Sequence, residues 1–285
     1  MRYYLTILLV TFFHFTSISQ GFKGDIWAES LRNKRGNVIL TNVHLAKFSD
    51  GESGKGTGIC FDIMDDFAEY VLKKYGVVIT YKYQPVADPS NFQMFLSAVE
   101  NSQGGVFGLS DITITDQRKT TFDFSPPYFS NMAVLVTEKS VPQLSSLGRI
   151  PTTFKGMRAV SQGGTTHDKR LKELKDQYGF DIIYAASSID KTYRVITSPK
   201  YFTYIDLPNY LELRAKGENI KRHPAGDIKG ESYGFILPKG SDWTPVITEF
   251  FNADGGYMKG SDYKKVLSTN LNPEVVKLMD EISSK

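Results

Sequence analysis

One arginine, Arg118, follows two alternating threonines, Thr113 and Thr115, and leads into an aromatic and proline turn, all within residues 111–129 (DITITDQRKTTFDFSPPYF). A guanidinium presents a planar fork of donors that matches a carboxylate two bonds at a time, and the Thr113 hydroxyl can add another donor. The β-branched run 112–115 favours an extended backbone. Asp116 can then cap a short helix opening at Gln117 or Arg118, which aims the guanidinium back across a strand end. Taken alone, the pattern is also that of a surface arginine. A second candidate anion site is the run Gly163, Gly164, Thr165, Thr166. Its glycines permit close backbone approach and a following helix offers free amides, although such turns also serve packing alone.

Other chemistries find little support in the residue types. Cys60 is the only cysteine and sits among Ile59, Phe61 and Ile63, so it reads as a small buried hydrophobe and forms no disulfide within the chain. His14, His44, His167 and His223 show no metal-ligand spacing, and no metal site or cofactor is inferred. Residues 49–58 (SDGESGKGTG) lack the order of a phosphate-binding loop. The 34 basic and 31 acidic residues leave a net charge of only +3, and the basic ones are dispersed. Neither nucleic acid nor an anionic membrane surface is implied as a partner. The Arg32, Lys34, Arg35 cluster reads as a solvated helix end.

These groups need a scaffold, and the apolar periodicity supplies one. Residues 38–43 and 77–83 read as strands around a helix over 62–75, whose Ile63, Phe67, Val71 and Leu72 share a face. Residues 92–99 form another predicted helix and 106–114 another strand, so the alternation points to a parallel α/β sheet. Ligands of such sheets bind beyond the strands' carboxyl ends, where Asn42 to Phe48 and Ser110 to Thr113 fall. A second α/β unit begins with a strand at 157–160 and a helix over 168–178. With 285 residues, the chain can build one large core or two medium ones.

The segment around Arg118 resembles the signature of the bacterial extracellular solute-binding proteins of family 3. Thr113, Thr115, Arg118, Asp123, Phe124, Ser125, Pro127, Tyr128 and Phe129 match it, whereas Asp111 stands where the family usually has glycine or serine. Three further stretches match in order: GICFDI from Gly58, GGTT from Gly163, and YIDLPNYL from Tyr204, with YGFILPKG from Tyr233 after them. The resemblance implies an α/β, two-lobed type II periplasmic-binding-protein fold, each lobe a mostly parallel sheet flanked by helices, with the ligand cleft between lobes. It places the first lobe in residues 20–130 and 232–285 and the second in 131–231.

The resemblance also assigns roles. Arg118, with Thr113, Thr165 and Thr166, is expected to hold the α-carboxylate of an amino acid or amino-acid-like solute, and Asp206 its α-ammonium. Ser110, Asp111 and Asn42 are expected near the ligand, with Leu45, Phe48 and Phe92 walling its side chain. A neutral Asn42 at the first strand's end favours a neutral polar or small apolar amino acid over a basic one, since an unpaired buried ammonium is costly. The expected protein is a monomeric binder rather than an enzyme, serving the membrane permease of an ABC importer. Two alternatives are a dehydratase-like enzyme, in which Asp111 facing Asp206 becomes a general acid, and a sensory module without transport. Residues 1–19, with basic Arg2, an apolar run over 5–15 and small Ser17 and Ser19, read as a cleavable signal peptide; the run is shorter than the ~20 residues that span a bilayer. A periplasmic product is expected.

Overall fold

The computed structural model describes residues 21–43, 48–50, 56–271, 273 and 276. Leu45, the predicted signal peptide and part of the loop at 49–58 lie outside them. The first unit opens with helix α1 (Trp27–Asn33) and strand β1 (Arg35–Asn42). Helix α2 (Ile59–Tyr75) comes next, and its Ile59, Ile63, Phe67 and Val71, spaced four apart, are all buried. Strand β2 (Val78–Tyr83), helix α3 (Phe92–Glu100) and strand β3 (Val106–Leu109) complete the alternation, and the short helix α4 (Asp116–Thr121) runs into β4 (Phe122–Phe124). All four residues of β3 are buried, because helices cover both faces of the sheet and no polar alternation survives.

Strand β5 (Phe129–Glu138) leaves this unit for a second one. That unit contains α5 (Ile150–Thr153), β6 (Arg158–Ser161), α6 (Thr166–Tyr178), β7 (Ile182–Tyr184), α7 (Ser188–Thr197), β8 (Tyr201–Asp206), α8 (Leu207–Ala215) and β9 (Ile220–Arg222). Strand β10 (Ile228–Tyr233) returns to the first unit, which ends with β11 (Ile236–Pro238), α9 (Thr244–Asn252) and α10 (Ser261–Asn270).

Two sheets result, in the orders β2-β1-β3-β11-β4 and β10-β5-β8-β6-β7, with β9 beside β5. In the first, β1 runs parallel to β2 and β3, while β11 is antiparallel to β3 and β4. The second is mixed: β6 is parallel to β7 and β8, but β5 is antiparallel to β8, β9 and β10. This departs from a mostly parallel second sheet because β5 and β10 are the outgoing and returning connections, and two such strands side by side must run in opposite directions. Where they cross, Phe129 pairs with Tyr233 and their rings stack with centroids 5.6 Å apart.

Each sheet has its own core. Trp243, Phe67, Phe107 and Phe250 pack beneath the first, and the Trp243 indole donates to the Asp25 carbonyl at 2.8 Å. Leu135, Leu171, Phe154, Phe202 and Tyr204 pack beneath the second. His223 is fully buried there, with Nδ1 accepting from the Leu144 amide at 3.0 Å and Nε2 2.7 Å from the Thr137 hydroxyl. An acceptor at Nδ1 makes the ring neutral, and burial lowers its pKa to about 4. Cys60 is buried as expected, and burial pushes its thiol up.

Candidate functional site

The cleft is built from the turns beyond three strands. After β3 the backbone leaves the sheet, so the predicted strand 106–114 ends early. Residues 110–114 are instead tied down by a bridge between Thr113 and Tyr233 and by the Tyr128 hydroxyl, which donates to the Ser110 carbonyl at 2.7 Å. Release from the sheet lets this segment face across the molecule. Helix α4 then starts one residue earlier than the sequence implied. Thr115 caps it, accepting from the Arg118 amide at 3.1 Å, and Asp116 is the first helical residue. A threonine hydroxyl reaches that amide from the extended conformation found at the cap, which explains the shift.

Arg118 folds back as the strand-end geometry requires. Its Nη1 donates to the Thr113 carbonyl at 2.9 Å, its Nη2 lies 3.4 Å from the Gly164 carbonyl in the other unit, and its Cζ sits 5.1 Å over the Phe92 ring. Two carbonyls fix the fork and leave further N–H groups for an anion. The opposing wall is the start of α6. Thr165 caps it, accepting from the Asp168 amide at 3.1 Å while donating to the Gln162 carbonyl at 2.9 Å. The Thr165 hydroxyl is therefore engaged in the cap, and it is the helix N-terminus, with Thr166, that is offered to an anion.

A cavity of about 70 Å³ is enclosed between these walls and lined by Phe92, Asp111, Thr113, Arg118, Thr165, Thr166 and Asp206 among others. Seven of the residues expected at a ligand site thus converge. Two others lie close but do not line the cavity. Ser110 is buried, its hydroxyl donating to Asp111 at 3.0 Å. Asn42 is also fully buried: its amide donates to the Ser49 carbonyl at 2.8 Å and accepts from the Tyr83 hydroxyl at 2.6 Å. With both ends of its amide engaged inside the first unit, Asn42 offers nothing to a side chain in the cleft, and the specificity argument built on it loses its basis. Phe48 likewise belongs to the core, edge-on to Phe129.

Sequence reading missed the charged and polar groups gathered around Asp206. Asn131 on β5 donates to Asp206 at 2.5 Å and to Glu231 at 3.1 Å. His167 Nε2 lies 3.5 Å from Asp206. Lys191, on α7, is only 4 % exposed; its Nζ donates to the Tyr204 carbonyl at 3.0 Å and approaches His167 Nδ1 at 3.5 Å. Burial pushes the Asp206 carboxyl up, but His167, Tyr233 and Lys191 outweigh it and hold the group well below the usual carboxylate range. At Asp111 the balance is reversed: burial first, then the negative charge of Asp206, outweigh the Ser110 hydroxyl and Lys191 and raise its pKa well above the ordinary value. Burial also lowers the pKa of Lys191, against the pull of Asp206 and Asp111.

His167, Asp206 and Glu231 bring ligand atoms within 4.8 Å of one another, a grouping that the sequence spacing could not reveal. Asn131 and Lys191 already give these groups partners, so no ion is needed to account for their arrangement. A larger open groove of about 700 Å³ lies between α2, α9 and α10 on the outside of the first unit. Two of its carboxylates are held within the fold, Asp66 by the Tyr257 hydroxyl and Asp62 by Asn270.

Comparison with known proteins places the chain among similar sequences and folds. A probable histidine-binding protein of Neisseria gonorrhoeae is 25% identical over 223 residues, 72% of each chain. An ancestral arginine-binding protein, solved with arginine, superposes with a TM-score of 0.62 at 22% identity, covering 84% of this chain and all of that one. A putative binding component of an ABC transporter from Wolinella succinogenes, complexed with lysine, gives a TM-score of 0.65 at 15% identity, covering 85% of this chain and 98% of the other. These structural likenesses establish the fold, a two-unit α/β architecture. The profile of one family spans residues 38–281, and on that extent the chain belongs to the bacterial extracellular solute-binding proteins, family 3.

Proposed function

We propose that this solute-binding protein captures a free α-amino acid outside the cytoplasm and delivers it to the permease of an ABC importer, acting as a binder and not as a catalyst. The observation that carries the reading is the placement of Arg118 and Asp206, one cation and one anion from different units, on the wall of a single cavity. Arg118 receives the α-carboxylate together with Thr113 and the amides opening α6 at Thr165 and Thr166. Asp206 receives the α-ammonium, and Phe92 backs the guanidinium. Residues 20–130 with 232–285 form one lobe and 131–231 the other, and β5 and β10 form the connection about which they close. A ligand that touches both lobes stabilises the closed form by its differential affinity for that state. Residues 1–19 act as a signal peptide removed on export to the periplasm. The lysine-bound ABC component and the histidine-binding relative support this assignment.

Mass spectrometry of small molecules released from purified, denatured protein, beside a thermal-shift series of amino acids, tests the reading. Release of an amino acid and a rise in melting temperature with the same compound are expected. Protein that releases none, and whose melting none of them moves, refutes it.

A further inference from the structure

We propose that Asn131 is the positioning residue for the group that receives the ligand's ammonium: braced on Glu231, its amide fixes the Asp206 carboxylate in the orientation that presents one oxygen to the ligand. The inference rests on the amino-acid reading above and goes beyond it by naming a residue, behind the cavity wall, on which the strength of that contact depends.

The placement follows from the second sheet. Strand β5 lies between β10 and β8. On one side Asn131 pairs with Glu231, and on the other Ala133 pairs with Asp206. Residues paired across strands share a face of the sheet, as do residues two apart along one strand. Asn131, Glu231 and Asp206 therefore project together, Glu231 directly opposite the asparagine and Asp206 on its diagonal. The register of β10 shifts between Lys229 and Glu231, with Gly230 at φ +82 as the extra residue. Continued from the pairing of Ile228 with Ala133, an unbroken ladder would set Glu231 opposite Ser130 and turn its carboxylate to the other face. The bulge thus brings the brace to Asn131.

Asn131 is 2 % exposed, and both hydrogens of its amide nitrogen are engaged by carboxylates, at 2.5 Å to Asp206 Oδ1 and 3.1 Å to Glu231 Oε2. Its carbonyl oxygen is buried and has no hydrogen-bond partner among the described residues. An orphaned acceptor of this kind is unfavourable. Turning the amide over would seat that oxygen against two carboxylates, so they impose its orientation. His167 Nε2 lies 3.5 Å from the same oxygen of Asp206 that Asn131 bonds. Both neighbours therefore meet one edge of the carboxylate, and its second oxygen is left for an ammonium. A carboxylate that is ordered before the ligand arrives loses less freedom on binding, which strengthens the contact it then makes.

Calorimetric titration of the wild type with the standard L-amino acids identifies the tightest, which is then titrated into Asn131→Leu, Glu231→Leu, Glu231→Gln and the double leucine variant. Asn131→Leu keeps the size of the side chain and removes both bonds, and binding should weaken about tenfold or more, the loss of a charge-assisted bond. Glu231→Leu leaves the asparagine without its brace and should weaken binding about fivefold. Glu231→Gln keeps an acceptor for Asn131 and should recover most of that loss. Because Glu231 acts through Asn131, the double variant should bind within about threefold of Asn131→Leu alone. A folded Asn131→Leu that binds within threefold of wild type overturns the inference, as do losses that add in the double variant. So does a Glu231→Gln that binds as weakly as Glu231→Leu, a contrast that keeps the test decisive if Asn131→Leu folds poorly. A folded wild type that binds no amino acid at all defeats the amino-acid reading itself, a distinct result.

Discussion

Replacing Arg118 separates its role in binding from its role in the fold. Its guanidinium is positioned by the Thr113 and Gly164 carbonyls and by the Phe92 face, which leaves the remaining N–H groups ordered for the carboxylate of the proposed ligand. Arg118→Ala leaves that carboxylate in the cleft with only the α6 amides. Truncating one partner of a buried, hydrogen-bonded charge pair costs about 2 to 5 kcal/mol, which is roughly a 30- to 4000-fold loss at 1.4 kcal/mol per tenfold. Arg118→Lys keeps the charge but loses the fork, and one missing charge-assisted bond costs about 1.5 to 3 kcal/mol. The order of affinity should therefore be wild type, lysine variant, alanine variant. The fold should tolerate both, since stacking of this kind contributes only about 0.5 to 1 kcal/mol where solvent reaches it. Isothermal calorimetry reads the affinities, and thermal melts without ligand read the fold. An alanine variant that binds within threefold of wild type, or a lysine variant equal to wild type, refutes the assignment of Arg118 to the carboxylate.

Local geometry supports two further perturbations. Gly164 adopts φ +78, and an added Cβ would lie 1.4 Å from the Gln93 amide nitrogen of the other unit. Gly164→Ala should lower stability by about 1 to 2 kcal/mol through its left-handed backbone and also weaken ligand binding about tenfold, a factor worth about 1.4 kcal/mol. Adding Gln93→Ala should restore binding but not the melting temperature, and a double variant that binds no better than the single one means that the approach of Gln93 to Gly164 does not bear on binding. His223 provides a pH test. Its pKa falls from 6.5 to about 4 on folding, because of burial and then Lys221. The unfolded chain thus takes up a proton that the folded one refuses, so this contribution is complete above pH 6.5 and is lost as pH falls toward 4. Denaturant unfolding at pH 7.5 and 4.5 should differ by at most about 2.5 kcal/mol more in wild type than in His223→Gln, at 1.36 kcal/mol per pKa unit. Equal pH dependence in the two proteins would mean that His223 is not held neutral.

Legibility in the sequence tracked the range of the forces involved. Apolar spacing in α2 and β1 reports burial directly, and both elements lie where it placed them to within a few residues. Arg118, Thr113 and the start of α6 could be read because each depends on a local turn. Asn42 could not, because whether a strand-end amide faces the cleft or the core is decided by Tyr83 and Ser49, which reach it through tertiary packing. Lys191 left a faint signal. It stands four residues before buried Val195, so a charged residue occupies the inward stripe of α7, where only a buried partner can justify it. Asn131 and Glu231 gave none, since the pairing of β5 with β10 that brings them together spans most of the second unit.

The position of β11 has a consequence for how the chain is made. This late strand lies inside the first sheet, between β3 and β4, and its neighbour Phe235 donates to a Ser125 hydroxyl 110 residues earlier in the chain. Trp243, central to the same core, bonds to Asp25 across 218 residues. While synthesis is under way, β3 has an open edge and β4 has no neighbour, however long the preceding segments have waited. Contacts of such wide sequence separation form late and slowly. The first unit therefore completes its sheet and closes its core only after the whole sequence of the second unit has been made.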